Sequence, residues 1–158
     1  MSTPEQRADF VERLGGALTS AGLARLPSRI FAAVLVDDDG RMTAAEISEA
    51  LGVSPAAVSG AVKYLDGVGM VRRERERGSR RDVFVVDDEA WHDTLLQADT
   101  IYSPMIAALE RGIDDLGPDD PSHRRLTVSR DFMRFILDEL HGINERWAIR
   151  RRELHLDP

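Results

Sequence analysis

The side chains in this chain best suited to chemistry are cations, and they are grouped. Between Ser54 and Asp82 stand seven positive residues (Lys63, Arg72, Arg73, Arg75, Arg77, Arg80 and Arg81) against four acids (Asp66, Glu74, Glu76 and Asp82). That is a local charge of +3 in a chain of net charge −7, so the remainder carries −10. Arg77, Arg80 and Arg81 crowd into the turn sequence RGSRRD. A basic island in an acidic chain points to one face made for an anionic partner, with the rest repelled from it. The alternative is an ordinary solvated hairpin of mixed charge.

Other chemistry has no visible seat. Cysteine is absent, which removes disulfides, thiolate metal sites and thiol nucleophiles together. The four histidines, His92, His123, His141 and His155, form no pair on one helical turn. Gly15-Gly16 lies inside an amphipathic pattern with no strand before it, so it is no phosphate loop. Asp37-Asp38-Asp39-Gly40 lacks the third ligand of a calcium loop, because Arg41 stands next, and reads as a tight turn. Asp114-Asp115 and Asp119-Asp120 flank a proline-bearing loop that explains them by solvation. No metal, no cofactor and no enzymatic activity are expected. The longest apolar run, Ile30 to Val36, is too short to span a bilayer, and the start MSTPEQRADF lacks a signal-peptide pattern. The expectation is a cytoplasmic chain without membrane contact.

The elements that position the cations follow from spacing. Phe10, Leu14, Leu18 and Ala21 predict an amphipathic helix over 5–21, ended by Gly22. A second, nearly all-apolar helix starts at Pro27 with Ile30, Phe31, Val34 and Leu35. Thr43 and Glu46 form a capping box that opens a short helix closing at Gly52, and Ser54-Pro55 opens another at once. Two short helices joined around Gly52-Val53 are the pattern of a helix-turn-helix. The second one turns Val58, Val62 and Leu65 inward and carries Ala56, Ser59, Gly60 and Lys63 on its other face. Small residues there allow close approach to a groove floor. Strands over Met70–Arg77 and Asp82–Asp87, joined at Gly78-Ser79, predict a hairpin with a basic tip. A long helix follows, with Trp91, Leu95, Ala98, Tyr102, Met105, Leu109, Ile113 and Leu116, and Pro104 predicts a kink or break in it. After the loop GPDDPSH, a last helix shows Val128, Phe132, Phe135, Ile136, Leu140, Ile143 and Trp147 before Arg150-Arg151-Arg152.

The fold class expected is mainly α with a small β-hairpin wing (α+β): a winged helix-turn-helix over 26–88, an N-terminal dimerisation helix over 1–25 and long C-terminal helices over 89–158. At 158 residues this amounts to one domain or a small domain with a helical extension. The segment TAAEISEALGVSPAAVSGAVKYLDGVGMVRRERERGSRRDVF, residues 43 to 84, resembles the DNA-binding domain of the MarR superfamily of bacterial transcription regulators, especially its GbsR-like branch. The ordering A-E-[IL]-x-x-x-L-x-V-S, V-S-x-x-V-x-x-L, G-x-[VM]-x-R and an arginine pair at the wing tip carries the resemblance. One departure is that Asp, often found just before the pair, is here Ser79, with Asp82 just after it.

The resemblance implies a homodimeric repressor on a pseudo-palindromic double-stranded DNA operator, with half-sites roughly one helical turn (~10 bp) apart. It implies DNA contacts from Ser54, Ala56, Ser59, Gly60 and Lys63 in the major groove, and from Arg77, Arg80 and Arg81 on phosphates or the adjacent minor groove. A small lipophilic or aromatic effector is implied in a cleft, with Phe31, Trp91, Tyr102 and Met105 as candidate lining; packing is the alternative role for these four. The stripes Phe10, Leu14 and Leu18, and Phe132, Phe135, Ile136, Leu140, Ile143 and Trp147, exceed what one small winged domain covers. They are the candidate dimer interface, with an intramolecular core as the alternative. The rival functional reading is a winged-helix module that binds protein instead of DNA.

Overall fold

A computed structural model of the chain describes residues 3–75, 78, 81–87 and 98–156. The chain divides into two compact units, Met1–Thr94 and Leu95–Pro158. The first holds α1 (Pro4–Ser20), α2 (Arg25–Val36), β1 (Arg41–Thr43), α3 (Ala44–Leu51), α4 (Pro55–Gly67), β2 (Arg72–Arg75) and β3 (Asp82–Val85). The second holds α5 (Ala98–Leu116) and α6 (His123–Glu153). It is the mostly helical winged fold with a small antiparallel sheet that the patterning predicts.

Thr3 starts α1 with a capping box: its hydroxyl accepts from the amide of Gln6 at 3.2 Å, and the Gln6 side chain accepts from the amide of Thr3 at 2.8 Å. Val11, Gly15 and Leu18, at helical spacing, bury one stripe of α1 against α2. The helices come so close that a Cβ on Gly15 would stand 3.0 Å from Cγ of Arg29. Helix α1, the expected dimerisation helix, lies within the first unit and packs on α2. Its Leu18 is core, Leu14 packs against that core, and Phe10 is half-buried.

The core of this unit joins Ile30, Phe31 and Val34 of α2 to Ile47 of α3, Val58, Val62 and Leu65 of α4, and Phe84 and Val86 of the wing. Gly52 closes α3 in the left-handed conformation (φ 65°) and so makes the turn into α4 possible. The sheet has three strands in the order β1-β3-β2, antiparallel throughout. Strand β1, only Arg-Met-Thr, extends the predicted hairpin: three residues carry too little alternation to be seen as a strand.

In the second unit α5 packs on α6. Of the kink or break expected at Pro104, the break does not occur, since α5 is helical from Ala98 to Leu116 with Pro104 inside it. Proline removes only one amide from the ladder, and the turns on either side of that position, with Ile106 and Ile113 buried, sustain the helix. Helix α6 begins earlier and ends later than expected and takes Arg150, Arg151 and Arg152 into its last turn, where cations suit the carbonyl end of the helix. Asp99 and His141 pair across the two helices at 2.9 Å, and Glu110 pairs with Arg134. Among the described residues, no helix is long and apolar enough to cross a membrane.

Candidate nucleic-acid interface

Helix α4 is started by Ser54, whose hydroxyl accepts from the amide of Ala57 at 3.3 Å, and by Pro55 in the first turn. Ser54 therefore serves first as a cap. Val58, Ala61, Val62 and Leu65 face the core, which fixes the rotation of the helix and leaves Ala56, Ser59, Gly60 and Lys63 exposed. Among the described residues, and apart from the neighbouring backbone of α4 itself, nothing lies within 4 Å of where a Cβ on Gly60 would be. The outer face of α4 thus carries small side chains and one cation, with Tyr64, 43% exposed, at its edge.

The wing divides its charges between two faces through the strand register. Arg72 stands opposite Val85 and Arg73 opposite Phe84. On the side of Arg72, charges cancel among the described residues: Arg41 pairs with Glu74 at 2.6 Å, and Arg72 with Glu74 and Asp87 at 3.0 Å each. On the side of Arg73, the strands face α4. There Ser59, Val62, Lys63 and Asp66 of α4, Arg73, Arg81, Asp82 and Phe84 of the wing, and Thr43, Ala44 and Ala45 enclose a groove of about 840 Å³.

Asp82, sequence neighbour of the arginine pair, is engaged across the hairpin by Arg73. That hydrogen bond holds the Asp82 carboxyl below its ordinary range, with the Arg73 and Arg75 charges adding to it. The same contact raises Arg73, with Asp66 adding through space. Glu46 accepts from the Thr43 amide at 2.6 Å, as the capping box requires, and also from its hydroxyl at 2.8 Å. These bonds hold its carboxyl low, and the charge of Arg81 contributes.

Of the residues singled out in the sequence, Ser59, Lys63 and Arg81 come together around this groove. Ser54, Ala56 and Gly60 lie on the same exposed helix. Arg77, Arg80 and Trp91 lie outside the described residues. Arg73, Asp66 and Asp82 were missed as site residues. The signal for Arg73 was its alternation with Arg72 in the wing strand. Of the effector candidates, Phe31 has no exposed surface and is core, whereas Tyr102 is half-buried and Met105 is 43% exposed on α5. A second hollow in the first unit, about 340 Å³, is lined by Val11, Ala33, Val36, Met42 and Leu51 together with the charged Arg7, Glu12, Arg29 and Asp37. Among the described residues no three metal-ligating side chains converge.

Comparison with known proteins bears on both units. The MarR family model matches residues 21–82, and the model of MmpR5-like MarR family transcriptional regulators matches residues 89–152. The chain belongs to the MarR family of transcriptional regulators. A relative of this MarR-family chain, the HTH-type transcriptional regulator MmpR5 of Mycobacterium tuberculosis (strain ATCC 25618 / H37Rv), is 27% identical over 146 residues, spanning 92% of this chain and 88% of that protein. A crystal structure of a transcriptional regulator superposes with a TM-score of 0.80 at 26% identity, covering 90% of this chain and 97% of that one. The C-terminal match is to the MmpR5-like group of MarR regulators, and nothing in these matches supports the GbsR-like branch.

Proposed function

We propose that this MarR-family regulator is a homodimeric repressor that reads a pseudo-palindromic duplex site and is released from it by a small lipophilic or aromatic ligand. The observation that carries the DNA reading is the outer face of α4, where Ala56, Ser59, Gly60 and Lys63 are exposed beside a wing face bearing Arg73 and Arg81. Small side chains let the helix reach base edges, and the flanking cations meet phosphates. Ala56 suits a thymine methyl, Ser54 and Ser59 suit phosphates or base edges, and Lys63 suits the backbone. Arg77, Arg80 and Arg81 supply the wing's contacts to phosphates or the minor groove.

Dimerisation is supported by α6, which leaves Val128, Phe132, Phe135, Ile143 and Trp147 exposed in the single chain. An effector acts by population shift, favouring a spacing of the two recognition helices that cannot span successive grooves. Met105 and Tyr102 on α5 and the partly apolar hollow of the first unit are the surfaces that support such a ligand.

The test is fluorescence anisotropy of the full chain against duplexes from the DNA flanking its own gene, with scrambled duplexes of equal length as competitors. The expected result is selective binding, at least a hundredfold over scrambled DNA, as specific regulators show. Equal binding to all duplexes, confirmed by failure to enrich any site from a random pool, overturns the reading.

A further inference from the structure

Resting on the DNA reading above, we infer that the groove between α4 and the wing seats the sugar-phosphate ridge between two DNA grooves, and that Asp82 is the positioning residue that aims Arg73 at it. A duplex entered by α4 in its major groove and by the wing tip in the next minor groove carries one backbone between them. That backbone must cross the space between α4 and the wing strands. Here the space is the 840 Å³ groove. Ser59 and Lys63 belong both to its wall and to the exposed face of α4, so it opens on the side that α4 presents to DNA. Arg73 and Arg81 stand across from them.

Two carboxylates share the groove, and by charge alone each opposes a phosphate. Their surroundings differ. Asp82 accepts a hydrogen bond from Nη2 of Arg73, across a strand pair anchored by Phe84, which is 5% exposed. This engages one nitrogen of a group with five N–H donors and leaves a fork for an anion. Asp66 acts on Arg73 through space, from α4. Neutralising Asp66 should therefore help a phosphate in, whereas neutralising Asp82 lets go of the guanidinium that receives it. The two substitutions, equal in charge, have opposite signs.

Phosphate contacts are indifferent to sequence, so the experiment uses a fluorescein-labelled duplex of mixed sequence and the full chain, titrated across salt concentrations. Arg73→Ala is expected to flatten the salt dependence of log K by about one. Asp82→Asn is expected to weaken binding about three- to tenfold at ~0.1 M salt, one charge-assisted contact being lost. Asp66→Asn should tighten it, and Asp82→Glu should recover part of the loss. Arg73→Ala added to Asp82→Asn should cost less than it does alone, because both act on one contact. Thermal unfolding of each variant checks the fold, and if Asp82→Asn does not fold, the Arg73→Ala slope decides. Tighter binding by a folded Asp82→Asn variant, or an unchanged slope for Arg73→Ala, overturns this inference and leaves the regulator reading standing. Wild-type protein that binds no duplex at any salt concentration overturns both.

Discussion

The amide of Val86 donates to the carbonyl of Gly40 at 2.9 Å, and a Cβ at position 40 would stand 2.8 Å from the carbonyl oxygen of Val86. The two residues lock the turn before β1 to the end of β3, so the third strand and the wing are one piece. Gly40 also has φ 62°, where side-chain-bearing residues are strained.

Gly40→Ala meets backbone, not a flexible side chain, and so cannot be relieved cheaply. The expected cost is about 1–3 kcal/mol, seen as a lower urea midpoint with an unchanged slope. A variant within about 0.5 kcal/mol of the wild type would show that the turn relaxes without the wing.

The capping box of α3 makes stability depend on pH. The hydrogen bonds from Thr43 hold the folded Glu46 carboxyl below its ordinary value of 4.5. A group depressed on folding stabilises above its unfolded value, and that contribution is lost as pH falls through the folded one. Thr43→Ala is therefore expected to cost about 1 kcal/mol at neutral pH, with the gap to wild type narrowing below about pH 4. Urea unfolding at both pH values measures it; a gap that stays constant would assign the loss to the bond that the Thr43 hydroxyl accepts from the Glu46 amide.

What the sequence made legible was local. Thr43 with Glu46, Gly52, and Ser54 with Pro55 each act within four residues, so the two helices of the helix-turn-helix could be placed from spacing alone. Thr3 with Gln6 follows the same grammar and sets the start of α1 at Pro4, one residue before the expected Glu5. Strand β1 has three residues and exists only because β3 pairs with it. The Arg73–Asp82 pair spans nine positions and depends on strand register, whereas sequence proximity alone points from Asp82 to Arg80 and Arg81. The last helix carries two interleaved stripes: Leu126, Met133, Leu137 and Leu140 are half-buried, while Val128, Phe132 and Phe135 are exposed. Spacings of three and four alone do not separate them.

Gly60 offers a test in which stability and binding part company. It lies inside α4 with open space where a Cβ would go. Gly60→Ala should stabilise the protein by roughly 0.5–1 kcal/mol through helix propensity. The added methyl should nonetheless stand between the helix and the base edges and weaken selective DNA binding several-fold. Stabilisation with unchanged DNA affinity would place the close approach elsewhere on α4.

The exposed stripe of α6 is tested by charge. Phe132 and Phe135 are 61% and 58% exposed in the single chain, so covering each contributes roughly 1–2 kcal/mol, and a two-fold dimer covers each twice. Glutamate is a good helix former, and neither ring supports the core of a single chain, so Phe132→Glu with Phe135→Glu should leave helicity intact. Association should fall by several orders of magnitude. Sedimentation equilibrium should give twice 17.6 kDa for the wild type and 17.6 kDa for the double variant. DNA binding by that variant should lose selectivity for paired half-sites while keeping its salt dependence per chain, because each winged unit retains its own cations. A double variant that stays dimeric would remove this stripe from the interface.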